Sequence, residues 1–340
     1  MKGYIPFATA RATQAEQLGL AIGRIEEQLC GPALDGDLSG HGPIFVGIGA
    51  SFAAANPAVW QLRSRGIHSW RLGAGDLPLP YPASTHPVIG VSQSGRSAET
   101  LAVLESLPEE LRFTVVNTSP SPLSRLASRV VGLGNIADSY ASTIGYTATI
   151  AALGMIADAW DGGEIDPGWA TLADEFKATE ERLAPQIAQL AELFAESTYA
   201  DFVGTGPAAG SAEAGALLFR EVARIPSTGM GTRQYLHGSM ESAGNGVHVL
   251  FGDGRELETA GALAGAGHSV ILVSSEDIPS VGSQHGVWLP ARPAAQRAIL
   301  EALVLQSLVE AVAGVRGVDI EEFVFENTDT KVDQPVAEPS

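Results

Sequence analysis

Pro87-Val-Ile-Gly-Val-Ser-Gln-Ser-Gly-Arg-Ser-Ala-Glu-Thr100 is the stretch whose reading decides the fold. Residues 88–91 are an apolar run with β-branched members, too short for a helix and suited to a buried strand. The run stops at Ser92-Gln93-Ser94-Gly95. A helical pattern then opens at Ser97, expected as its cap, with Glu99 in the first turn and Leu101, Val103 and Leu104 on the inner face. A strand feeding a Ser/Gly loop at a helix N-terminus directs N–H groups and hydroxyls from the positive end of the helix dipole, which suits a phosphate. The loop has no carboxylate before Glu99 to repel an anion. An ordinary strand–helix turn would use the same residue types, so the loop alone leaves both readings open.

Working outward, residues 9–29 have helical spacing and residues 31–42 read as a Gly/Asp/Pro-rich loop. Residues 44–48 read as a buried strand followed by Gly49-Ala50-Ser51 and a helix to about residue 65. Further strands are expected at 69–72, 113–116 and 130–133, and Ser139-Tyr140-Ala141-Ser142-Thr143 opens an apolar helix over 144–160. Strands alternating with helices predict a parallel sheet covered on both faces, with ligands beyond the carboxyl ends of the strands. The loops at Ser51, Ser92–Ser97 and Ser139–Thr143 all fall at that end. After a polar Gly/Pro break at 161–168 comes a helix over 170–196, with Pro185 expected to kink or restart it. A second α/β pattern follows: strand 200–204, loop 205–210, helix 212–222, strands 247–251, 270–273 and 286–289, and helix 292–315. This predicts a duplicated module whose second loop is stripped of hydroxyls, leaving the first copy to hold phosphate.

The chain has 340 residues, 45% of them hydrophobic, enough for one large or two ordinary cores. Its formal net charge of −19 opposes nucleic acid and anionic membranes as partners. The single cysteine, Cys30, is read as part of the first helix and excludes a disulfide framework or a Cys-based metal site. The seven histidines show no metal-ligand spacing, so neither a metal nor another cofactor is expected. The first residues lack a signal-peptide layout and no uninterrupted apolar run spans a bilayer, so a soluble cytoplasmic protein is expected.

A second informative region runs from Phe219-Arg220-Glu221 to Tyr235-Leu236-His237-Gly238. Glu221 ends a helical pattern and His237 lies in a polar, Gly-bearing segment. A carboxylate placed so can act as a base, and a histidine exchanges protons near neutral pH, so the pair suits proton-transfer chemistry. A helix-surface glutamate and a loop histidine would show the same spacing.

Val46-Gly-Ile-Gly-Ala-Ser51, Ser92-Gln-Ser-Gly-Arg-Ser97, Tyr140-Ala-Ser-Thr143 and Arg220-Glu221…Leu236-His237-Gly238 occur in the order found in SIS (sugar isomerase) proteins. The chain resembles that family, and in particular the isomerase half of glucosamine-6-phosphate synthase, over about residues 9–332. The resemblance implies two tandem SIS domains, each a doubly wound, flavodoxin-like parallel sheet flanked by helices. The expected divisions are an N-terminal helical segment (1–40), a phosphate-binding domain (41–165), a linker helix (166–197), a second domain (198–320) and a tail (321–340). It implies that Ser92, Gln93, Ser94 and Ser97 bind phosphate, with Ser51 and Ser142 completing the pocket. It makes Glu221 the carboxylate that shuttles a proton between C1 and C2. His237 becomes the ring-opening histidine supplied by a neighbouring subunit, so a homodimer with a shared site is implied.

The departures are specific. No glutaminase segment or N-terminal catalytic cysteine is present, residue 2 being Lys2, so glutamine-dependent amination by this chain alone is not expected. Arg96 stands where the synthase loop is usually acidic, and Leu218 replaces a lysine that usually precedes the carboxylate. The family's C-terminal Schiff-base lysine corresponds to Lys331 in one alignment, and to no lysine when residues 332–335 are matched instead. The resemblance implies a phosphosugar isomerase, deaminase or deglycase acting on an amino-sugar phosphate or sugar–amine conjugate. A non-catalytic phosphosugar sensor is the alternative.

Overall fold

The structure, a computed structural model, describes residues 4–34, 36–325, 327 and 329–332. The chain opens with helix α1 (Phe7–Leu29) and enters a first α/β unit: β1 (Ile44–Gly47), α2 (Ala50–Ser64), β2 (Trp70–Gly73), β3 (Val88–Ser92), α3 (Ala98–Glu105), β4 (Arg112–Val116), α4 (Pro122–Leu126), β5 (Arg129–Gly132) and α5 (Ile144–Ala159). Helix α6 (Trp169–Glu192) leads to β6 (Tyr199–Gly204), α7 (Ala208–Val222), β7 (Ser227–Gly231), α8 (Thr232–Leu236), β8 (Gly246–Phe251), α9 (Arg255–Gly265), β9 (Ser269–Ser274), β10 (Gln284–Trp288) and α10 (Ala294–Arg316).

Two five-stranded parallel sheets result, ordered β2-β1-β3-β4-β5 and β10-β9-β8-β6-β7. Each begins in the middle and winds outward in both directions, the flavodoxin-like order. The crevices at the switch points therefore open between β1 and β3 in one sheet and between β6 and β8 in the other. The α/β expectation holds for both.

The central strands are short apolar runs because both faces are covered: every residue of β1, β3 and β8 is buried. Helices α1, α2, α5, α6, α7 and α10 pack on one another between the sheets. One continuous apolar cluster joins their buried faces to Phe45 and Ile89 of the first sheet and Phe202 and Val249 of the second. Smaller clusters lie on the outer faces, beneath α3 and α4 on one side and α8 and α9 on the other. Helix α5 is buried from Ile144 through Ala157, which explains its apolar composition on every face. Helix α10 is long and apolar enough to cross a membrane by length and composition, but most of it is buried here as a core helix.

Several expectations are corrected. Helix α6 runs unbroken through Pro185, whose ring faces solvent while Leu183 and Ile187 anchor the opposite face. Cys30 follows α1 as an exposed residue and is not part of the helix. Helix α7 starts at Ala208, directly after Pro207. Strand β7, with the sequence Ser-Thr-Gly-Met-Gly, carries no apolar run to announce it and pairs only at the sheet edge, against β6.

Candidate functional site

The Ser-Gln-Ser-Gly loop leaves β3 at the first switch point. Gly95 has φ +63°, and a Cβ there would lie 2.1 Å from Ser121 Oγ, so a glycine is required where the loop folds against the start of α4. The Ser97 side chain does not cap α3 as expected. Its hydroxyl is turned back to Ser92 Oγ at 2.9 Å, placing two of the sequence-predicted phosphate ligands side by side. Among the described residues, nothing accepts from the backbone N–H of Ser94 or of Ser97. The segment thus ends in hydroxyls and free N–H groups, as an anion requires.

The loop at residues 138–143 meets it through a residue the sequence reading missed. Asp138 is buried at the N-terminus of α5, where its carboxylate accepts from the N–H groups of Ser139, Thr143, Ile144 and Gly145. The same carboxylate accepts from the hydroxyls of Ser142 (2.7 Å) and Thr143 (2.8 Å), and from Gln93 Nε2 at 3.3 Å. Two predicted ligands, Gln93 and Ser142, are thereby tied to one buried anion. An acidic residue just ahead of a hydroxyl-rich helix start was the available signal. Ser142 gives its only proton to Asp138 and offers lone pairs to anything else.

Glu221 lies in the last turn of α7, on the second sheet's side of the helical layer. It shares a narrow cleft with Ser142, Tyr146 and Gln306, whose other walls are mostly Ala and Leu side chains. Ala50, next to the predicted ligand Ser51, belongs to the same lining. The Glu221 residue is open to the solvent in the cleft but crowded by protein around it. Burial by those neighbours pushes its carboxyl pKa up to about 7. Among the described residues, nothing hydrogen-bonds or ion-pairs with this carboxylate. Neighbouring Arg220 donates to Ser227 O, and Arg224 is engaged with Glu322. On its other side Glu221 borders an open groove of about 1120 Å³, walled in part by Tyr140, Phe323 and Phe325.

Lys331 comes to the loop along the backbone. Residues 330–332 lie antiparallel to it, with Ala98 N–H donating to Thr330 O and Val332 N–H to Arg96 O. The Lys331 ammonium donates to Tyr4 Oη at 3.3 Å and rests 5.8 Å from the centroid of the Tyr140 ring, at the edge of the groove that Glu221 borders. The lysine-free alternative falls on residues 332–335, of which 333–335 lie outside the described residues. His237 stands apart: it is exposed at the C-terminus of α8 and lines neither cavity that Glu221 borders. Among the described residues, no group of three or more His, Cys, Asp or Glu is placed to hold a metal ion.

The paired sheets and the helices between them have the fold of phosphosugar isomerases. The C-terminal domain of glucosamine-fructose-6-phosphate aminotransferase from Francisella tularensis superimposes with a TM-score of 0.80 at 19% identity, covering 94% of this chain and 98% of that one. Tagatose-6-phosphate ketose/aldose isomerase from Escherichia coli gives 0.74 at 17% identity, covering 95% and 98%. Glucosamine-6-phosphate deaminase from Thermotoga maritima gives 0.66 at 15%, covering 91% and 96%. By sequence, the chain is 25% identical over 263 residues, 69% of its length, to the isomerizing glutamine–fructose-6-phosphate aminotransferase of Mycobacterium tuberculosis. It is 28% identical over 257 residues to that of Bradyrhizobium diazoefficiens. The chain's match spans about 42% of the length of these curated relatives. No family model matches the chain.

Proposed function

We propose that this protein is a SIS-type enzyme that grips a sugar through its phosphate and moves a proton between adjacent sugar carbons, with Glu221 as the base. The observation that carries this reading is the unpartnered Glu221 carboxyl in one cleft with Ser142, and the protein crowding around it pushes its pKa upward. Ser142 is in turn tied through Asp138 to Gln93 of the phosphate loop. A base poised near neutrality exchanges protons in both directions, as isomerisation requires. Ser92, Ser94 and Ser97, with Ser51, take the phosphate. That grip sets the reacting carbons against Glu221, the entropic share of catalysis.

The substrate is an amino-sugar phosphate or a sugar–amine conjugate, and loss of the amine turns isomerisation into deamination or deglycation. His237 serves the ring opening from a second copy of the chain, which makes the enzyme a homodimer. Lys331 is the amine available for a Schiff base with the keto sugar. A sensor would need only the phosphate cradle, so an unpartnered carboxylate beside Ser142 favours the enzyme. The test is a thermal-shift screen of hexose 6-phosphates, their 2-amino forms and phosphorylated sugar–amino-acid conjugates, with ketose formation and amine release measured on every hit. Stabilisation by these compounds without any turnover would overturn the enzyme in favour of the sensor.

A further inference from the structure

Tyr146 occupies the second turn of α5 and lines the same cleft as Glu221 and Ser142, yet only 9% of its surface is exposed. Among the described residues, nothing accepts from its hydroxyl. The hydroxyl is not walled in with the buried unpartnered polar atoms, so it opens to the cleft, where a ligand can take its proton. Burial, reinforced by the negative charges of Glu213 and Glu301 and opposed by Arg71, drives its pKa well above the ordinary tyrosine value. It therefore stays protonated as a donor at any working pH.

The other polar groups of the cleft are less suited to pass on a proton, since an amide does not give one up and Ser142 is already engaged. Ser142 has given its proton to Asp138. Gln306 is held in place by its neighbours, accepting from Gln14 Nε2 at 2.8 Å and donating one of its two amide protons to Thr143 O at 3.2 Å. Leu217 and Leu218 add only carbon to the wall. The cleft thus holds one base, Glu221, one acceptor, Ser142, and one hydroxyl donor that no described protein group accepts from, Tyr146.

We propose that Tyr146 is a catalytic residue that donates its hydroxyl proton to the substrate oxygen beside the carbon Glu221 deprotonates. This rests on the phosphosugar reading above. In the aldose-to-ketose direction, Glu221 takes the proton from C2. The electron pair of that bond becomes the second bond between C1 and C2, and the carbonyl pair at C1 moves onto O1. Tyr146 passes its proton to O1 and recovers one from the hydroxyl or amine on C2 as the new carbonyl or imine forms there. Protonated Glu221 returns its proton to C1. Every proton is accounted for and no oxidant or reductant takes part.

The experiment compares the parent with Tyr146→Phe, which keeps the ring volume and removes only the hydroxyl. Circular dichroism checks the fold. Two probes are titrated calorimetrically: inorganic phosphate, and 5-phospho-D-arabinonohydroxamate, which presents the charge distribution of the enediolate. The expected result is unchanged phosphate affinity and a hydroxamate affinity lower by about 10–100-fold in Tyr146→Phe, the usual effect of losing one bond to a charged group. Equal hydroxamate affinity in the two proteins, or a parent that binds phosphate but not hydroxamate, overturns the role of Tyr146 and leaves the phosphosugar reading standing. A parent that binds neither probe overturns that reading and this inference with it.

Discussion

Ser142 donates to Asp138 Oδ2 at 2.7 Å, and Gln93 reaches the same oxygen at 3.3 Å, so two loops of the first sheet share one buried carboxylate. The carboxylate also closes the N-terminus of α5. Asp138→Ala leaves all of these donors without an acceptor at once. The expected loss of stability is about 3–5 kcal/mol, the range for stripping the charge from a buried, fully bonded site. Urea unfolding measures it, and a loss below about 1 kcal/mol would show that water replaces the carboxylate without cost.

The phosphate loop sets a second expectation. Ser92 and Ser97 already share a hydrogen bond, so one proton between them remains for a ligand. Ser92→Ala combined with Ser94→Ala should lower the affinity for a phosphorylated sugar by at most about 3–6 kcal/mol, at ~1.5–3 for each charge-assisted bond. The unphosphorylated sugar should barely bind the parent. Calorimetric titration of both sugars decides it, and equal parent affinities would remove phosphate from the account.

Glu221 gives the pH dependence. In its proposed role as base it works ionised, so kcat/KM should rise with pH and level off above about 7. Glu221→Gln should cut turnover by roughly 10²–10⁴ with phosphosugar binding nearly intact. Stability should move the other way. Burial raises the carboxyl pKa in the folded state, so between the ordinary value of 4.5 and about 7 the folded chain holds the proton more tightly than the unfolded one. Stability conferred by that proton is complete at the acid end and is lost as pH rises through about 7. The melting temperature of Glu221→Gln should therefore overtake the parent's as pH climbs past neutrality. A flat difference between the two across that window would show that Glu221 is solvated like any surface glutamate.

For Lys331, borohydride added with a keto-sugar phosphate should fix the sugar to the protein, and Lys331→Ala should abolish the labelling seen by mass spectrometry. The ammonium rests on Tyr4 and Tyr140, so the lysine must leave both rings to reach a carbonyl near Glu221. Labelling that persists in Lys331→Ala would assign the chemistry to another amine.

What was legible in the sequence was whatever local pattern alone dictates. Strands β1, β3, β4, β6, β8 and β9 announce themselves as apolar runs because helices cover both faces. Strand β7 does not, since it has no apolar run and is held by pairing with β6 at the sheet edge. The loops at Ser51, Ser92 and Ser142 stood out by composition. Asp138 did not, because its importance comes from donors on two loops that only the folded chain gathers. Tyr146 was hidden among the apolar residues of α5, where one hydroxyl does not disturb the helical pattern. The pairing of residues 330–332 with the phosphate loop joins parts of the chain too distant for any periodicity to connect.

The second sheet repeats the strand order of the first, but its crevice is already filled. Glu256, 2% exposed in the first turn of α9, accepts from Thr205 Oγ1 at 2.6 Å and from Thr232 Oγ1. Thr205 is the hydroxyl that the reading of that loop as stripped had passed over. The protein's own carboxylate stands where the first sheet leaves hydroxyls and N–H groups free. The consequence is one of stoichiometry: doubling the architecture does not double the proposed binding capacity, and among the described residues only the first sheet keeps its loop open for the anion of the proposed substrate.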